Sequence, residues 1–137
     1  MMFPKPEKKK KKTKYTEKKA DEIFSKIVRM RGTCQGKGLD DHPCKGGLQC
    51  AHIITRGMHK IRFHEYNALC LCAAHHVWYT HHSDQWILDF IPKNFPKQYE
   101  WCMRHRRELL YDRTDFKMLI EKLSLELLSL QENKIGI

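Results

Sequence analysis

Two stretches decide the fold: Leu48-Gln49-Cys50-Ala51-His52-Ile53-Ile54, and Asn67-Ala68-Leu69-Cys70-Leu71-Cys72-Ala73-Ala74-His75-His76. The first ends in a β-branched pair, Ile53–Ile54, and reads as a strand over 48–54. The second begins as a short apolar run and reads as a strand over 67–72. From Ala73 the residues favour a helix running into Trp78. Residues 55–66 are polar and basic, with Arg56, His59, Lys60, Arg62 and His64, and read as a loop. The middle of the chain therefore reads strand, long loop, strand, helix.

The same stretch holds the densest set of metal-ligating residues. The chain has six cysteines and nine histidines, and mixing the two types points to metal rather than to disulfides. Cys72 and His75 have Cys-x-x-His spacing, in which a strand end and a helix start aim two ligands at one ion. A tetrahedral site needs two more. Cys34 and Cys44 bracket the turn-rich loop 33–47, which would otherwise have little core of its own. Structural zinc held by Cys34, Cys44, Cys72 and His75 would fasten that loop to the strands and helix. The competing reading is that these cysteines are small buried apolar residues. Cys50, Cys70 and Cys102 read as core.

Outward from this centre, Asp21 to Arg31 reads as a helix with Ile23, Phe24, Ile27 and Val28 on one face. Ser83 or Asp84 is a candidate cap for a helix ended by Pro92. Pro96 is placed to open another, running toward Tyr111. Thr114 or Asp115 caps a last helix to about Gln131. Its apolar positions Phe116, Ile120, Leu123, Leu127 and Leu130 step by 4, 3, 4, 3. That stripe suits packing on the domain's own core, with a homodimer seam as the alternative. The expected class is α+β, mainly α in the C-terminal half. The expected division is a basic disordered tail over 1–20, a domain over 21–112 and the amphipathic helix over 113–137.

The charge agrees with this division. Residues 1–20 hold nine lysines against two glutamates, which is seven of the chain's ten net positive charges. Such a tail suits polyphosphate, or serves as a solubilising or targeting run. At 137 residues the chain has room for one core. No apolar run approaches a membrane span, and the charged N-terminus lacks the apolar region of a secretory signal. A cytoplasmic location is expected, in the host cell if the chain is phage-encoded.

Taken together, Ala51-His52-Ile53, Asn67 and Leu71-Cys72-Ala73-Ala74-His75-His76 resemble the ββα-metal, or HNH, endonuclease motif. The run from Lys19-Ala20-Asp21 to Arg31, and that from His52 through Thr55-Arg56-Gly57 to Arg62-Phe63, are similar to phage NinG-type recombination nucleases. The likeness covers residues 19–82. It implies a small ββα-metal core with a zinc knuckle, acting on double-stranded or branched DNA, in recombination or processing. It implies His52 as general base, Asn67 as the residue that holds the loop and the His52 ring, and His76 as a ligand for catalytic Mg²⁺ or Mn²⁺. Arg56 and Arg62 would then suit a phosphate clamp.

The motif departs from the family pattern at two places. Ala51 stands where many HNH enzymes carry a second metal ligand, and His81 is the candidate replacement. Lys37 stands where the first knuckle usually has a cysteine. Cys44 is the expected substitute and His42 the next candidate. A non-catalytic zinc-binding module that docks nucleic acid is the alternative function.

Overall fold

The computed structural model describes residues 14–54, 59–108 and 115–134. It is α+β and mostly helical, around one two-stranded antiparallel sheet. The elements are α1 (Glu17–Arg29), β1 (Leu48–His52), α2 (His59–Arg62), β2 (Ala68–Cys72) and α3 (Ala73–His81). They are followed by α4 (Ser83–Gln85), α5 (Ile91–Asn94), α6 (Pro96–His105) and α7 (Phe116–Lys134). A 3₁₀ turn, Glu65–Asn67, leads into β2, and a π-helical turn, Trp86–Phe90, joins α4 to α5. No described helix is long and apolar enough to cross a membrane.

The sheet is the middle layer of three. β1 and β2 pair with Cys50 opposite Cys70, Ala51 opposite Leu69 and His52 opposite Ala68. Alternation along the strands then splits the side chains between two cores. Ala51, Leu69 and Leu71 join Tyr79, Trp86, Ile91 and Cys102 on one face. Ala68 and Cys70, with half-buried Cys50, meet Ala20, Ile23, Phe24 and Val28 of α1 and Ile120 and Leu123 of α7 on the other. Every residue of β2 is buried, as its unbroken apolar run requires. Its outer edge is satisfied by neighbouring polar groups. Gln35 donates its backbone N–H to the Cys70 carbonyl and accepts the Cys70 N–H at its side-chain Oε1, while the Arg31 and Gln98 side chains donate to the Ala68 carbonyl.

Several boundaries differ from the sequence reading. α1 begins at Glu17, where Thr16 caps it by accepting the Lys19 N–H. Residues 17–20 therefore belong to the folded body, with Ala20 fully buried, rather than to a disordered tail. Residues 1–13 lie outside the described residues. The 55–66 segment contains α2 and the 3₁₀ turn, not only loop. Pro92 does not end a helix. The π turn restarts the helical path at Ile91, so the proline falls in a first turn, where its missing N–H costs little. α6 opens at Pro96 as expected, and Asp115 caps α7 by accepting the Met118 N–H. α6 ends at His105, with Arg106 as its C-cap, so the helix stops short of the expected run toward Tyr111. The heptad face of α7 packs against α1 through Ile120 and Leu123, with Phe116 and Leu127 beside them, as the core-packing reading expects.

Candidate functional site

Cys72, the last residue of β2, is also the N-cap of α3. Its sulfur accepts the His75 N–H at 3.4 Å, so the strand-to-helix turn itself aims both residues at one point. The loop before β1 is tied to the same helix start. The first amides of α3, Ala73 and Ala74, donate to the carbonyls of Gly47 and Lys45. Gly46 permits this approach: its φ is +85°, and a Cβ there would lie 2.8 Å from the Ala73 Cβ. Cys44 is thereby carried beside His75. Cys34 arrives from the other end of the loop, with Gly36 packed against the His75 ring.

The result is a four-residue cluster of Cys34, Cys44, Cys72 and His75, with ligand atoms all within 4.8 Å of one another. The three sulfurs lie 3.5, 3.6 and 3.1 Å from His75 Nδ1, in that order. This set can hold a metal ion. The cluster expected from sequence is the one the fold assembles, with Cys44 rather than His42 completing it. His42 instead stacks on Trp78, at 5.4 Å between ring centres.

One residue was not foreseen. Asp40 Oδ1 lies 3.1 Å from His75 Nε2, and Oδ2 accepts the Tyr79 hydroxyl at 2.5 Å. The His42 amide also donates to Asp40. A carboxylate behind a ligating imidazole fixes its tautomer and raises its basicity. The only signal in sequence was an acid lying between two candidate ligands, Cys34 and Cys44.

The electrostatics fit a site meant for a cation. Burial alone raises a thiol, yet the amides of His75 and Lys45 and the His75 ring pull Cys72 down to about 6. Partial desolvation and the neighbouring Cys34 and Cys72 sulfurs push Cys44 up to about 11. Burial opposes charge on His75, but Cys72 and Asp40 outweigh it and raise its pKa. Burial also opposes charge on Asp40, but its Tyr79, His75 and His42 partners hold it below the ordinary carboxylate value. Cys44 therefore resists ionising beside its sulfur neighbours, and a bound cation would offset that by displacing its proton.

The second constellation lies next door. Ala51, His52, His76, Thr80, Tyr79 and Arg106 are among the residues lining a cleft of about 370 Å³. His52 Nε2 donates to the Arg62 carbonyl at 3.0 Å. In the neutral ring, Nδ1 is then the nitrogen with the lone pair. His76 shows the reverse tautomer. Its Nδ1 donates to Gln49 Oε1 at 2.7 Å, so Nε2 carries the lone pair. Asn67 is fully buried and joins the two strand ends. Its Oδ1 accepts the Ile54 N–H at 2.7 Å, its Nδ2 donates to the Ile54 carbonyl, and its own carbonyl accepts the Ile53 N–H.

The remaining expected site residues fare differently. Arg62 is corrected: it is no phosphate clamp. Its guanidinium is buried, forked onto Asp21 and bonded to Glu17 of α1. His81 is not brought to His76. Five residues along a helix is about 140° around it, and His81 lines a separate cavity with Lys45 and Trp78. Thr80, one turn from His76, and Tyr79 are the other α3 residues that line the His76 cleft. Ala51 is buried and offers no ligand. Arg56 lies outside the described residues. Comparison of the chain with protein-family models, curated proteins and solved structures returned no match.

Proposed function

We propose that this chain is a metal-dependent phosphodiester hydrolase of the HNH type acting on DNA, stapled by zinc at Cys34, Cys44, Cys72 and His75. The observation that carries the reading is the cleft shared by His52 and His76, with their tautomers fixed in opposite senses. Three thiolates and one imidazole in a closed cluster suit tetrahedral zinc better than a hard cation.

In this reading His52 Nδ1 takes the proton from the attacking water, while the Arg62 carbonyl holds the ring through Nε2–H. Asn67 keeps the chain beyond His52 at a fixed distance from β2. His76 would hold Mg²⁺ or Mn²⁺ through Nε2, with Gln49 steadying its ring. Such an ion supplies charge neutralisation at the phosphate and at the leaving oxygen. A single imidazole leaves most of the coordination shell to water and phosphate, as a hard cation prefers. Affinity for DNA would come mainly from non-specific charge, the lysine tail included.

Ala51 favours a second reading, a non-catalytic zinc-stapled module that binds nucleic acid. Nicking of supercoiled plasmid with Mg²⁺, Mn²⁺ or EDTA, with His52→Ala alongside, separates the two. Metal-dependent nicking that falls by about 10²–10⁴ in the variant, with binding retained, supports the nuclease. Salt-sensitive binding without nicking under any ion overturns it in favour of the module.

A further inference from the structure

We infer that Asp21 and Glu17 of α1, acting through Arg62, are positioning residues that hold the His52 ring. Only the kinetic consequence rests on the nuclease reading. Arg62 is the last residue of α2, a single turn whose C-terminal carbonyls lack intrahelical partners. The Arg62 carbonyl is the one that receives the His52 Nε2–H. Whatever holds Arg62 therefore orients the His52 ring and selects its tautomer.

What holds it is α1. The Arg62 side chain is only 6% exposed. Nε donates to Asp21 Oδ1 at 3.0 Å and Nη2 to Oδ2 at 2.6 Å, a planar fork on one carboxylate. Nη1 donates to Glu17 Oε1 at 2.5 Å. The guanidinium also lies 5.6 Å from the Phe63 ring, which stands edge-on to Phe24, and Phe24 lies 5.7 Å from His52. Glu17, Asp21 and Phe24 step by four and three, so one stripe of α1 reaches His52 by two routes.

A buried ion pair is a poor source of net stability compared with apolar side chains of the same volume. Its distinctive contribution is fixed geometry, because a forked guanidinium cannot rotate without losing both bonds. An arginine tied at its side chain while its carbonyl holds a histidine transmits that rigidity to the ring.

Long-range ¹⁵N–¹H correlation spectra of the full, zinc-loaded chain read the His52 tautomer directly and need no activity. Wild type is expected with the proton on Nε2. In Asp21→Asn and Arg62→Lys a measurable share moves to Nδ1, while zinc content and helix signal are unchanged. Asp21→Glu, which keeps the carboxylate, restores most of the wild-type signal. Plasmid nicking by the first two variants loses about ten- to a hundredfold in kcat, with KM nearly constant. Should Asp21→Asn fail to fold, Glu17→Gln, at a carboxylate 40% exposed, carries the same test. A folded variant whose His52 stays wholly protonated on Nε2 overturns the inference, whether or not the wild type cuts DNA. A tautomer shift in a protein that never nicks supports the positioning role and overturns only the nuclease reading.

Discussion

The Cys/His cluster and the His52 cleft share the first turn of α3, through His75 and His76, yet they are built differently. His75 is fully buried among three sulfurs, with Asp40 behind it. His76 is partly exposed and lines a cleft, with Gln49 bonded to its Nδ1. One step along a helix rotates a side chain by about 100°, which is enough to send adjacent histidines into different chemistries. The cluster gathers four protein ligand atoms at one point, three of its residues buried and Cys44 exposed. The cleft is an open space of about 370 Å³ lined by His52 and His76. A closed shell suits stability and an open one suits reaction, which is the distinction between structural and catalytic metal sites.

The largest effect should come from emptying the cluster. Cys72→Ala, or wild type treated with a strong chelator, is expected to lose its bound zinc. The cost is several kcal/mol, comparable with the whole 5–15 kcal/mol or so that holds a domain folded. Elemental analysis and thermal melts check this, and an unchanged melting curve after chelation would remove the cluster's structural role.

Asn67→Ala is the matching cut on the cleft side. It strands the Ile54 N–H and carbonyl at a cost of about 1–3 kcal/mol. Nicking should fall steeply while zinc content stays at the wild-type level. Loss of zinc together with activity would show that the two regions are one cooperative unit.

Asp40→Asn is milder and tests the reverse. It should weaken zinc binding by about ten- to a hundredfold in a competition with a chromophoric chelator. Nicking at saturating zinc should be preserved.

The smallest effect concerns pH, at a histidine outside both sites. Burial, with the charges of His105 and Lys122, lowers the pKa of His64, although Glu65 opposes the shift. Its Nδ1 accepts the Tyr66 N–H, a bond that protonation removes. Because the folded value lies below the ordinary one, the contribution is complete above about pH 6.5 and is lost as pH falls through the folded value. The ring is partly solvated and stacked on Trp101, so the loss should stay under about 1 kcal/mol. Melting temperatures of wild type and His64→Gln, compared from about pH 7 to 5, should converge toward acid.

Much of this was legible because the relevant signals are local. The Cys-x-x-His spacing, the strand–helix junction at Cys72 and the heptad face of α7 each depend on residues a few positions apart. Cys34 and Cys44 were legible as well, because a glycine-rich loop bracketed by cysteines has little else to fold around. Arg62 was misread because nothing in residues 55–66 announces two carboxylates 41 and 45 positions earlier. The start of α1 differs for another reason: its signal, the Thr16 cap on the Lys19 N–H, is local but sits in a lysine-rich stretch that reads as tail. His81 was misplaced because a helical rotation, not proximity in sequence, decides which side of α3 it faces.

The sequence by itself therefore determined the strand–strand–helix order, the four cluster ligands and the pair of histidines at the start of α3. Periodicity and ligand spacing are short-range properties. Only the tertiary structure decided that Asp40 backs His75, that Gln49 steadies His76, and that Arg62 serves α1 and His52 rather than a phosphate. Those contacts join distant segments, and a polar side chain takes whatever partner the packed chain leaves within reach when burial forbids it water.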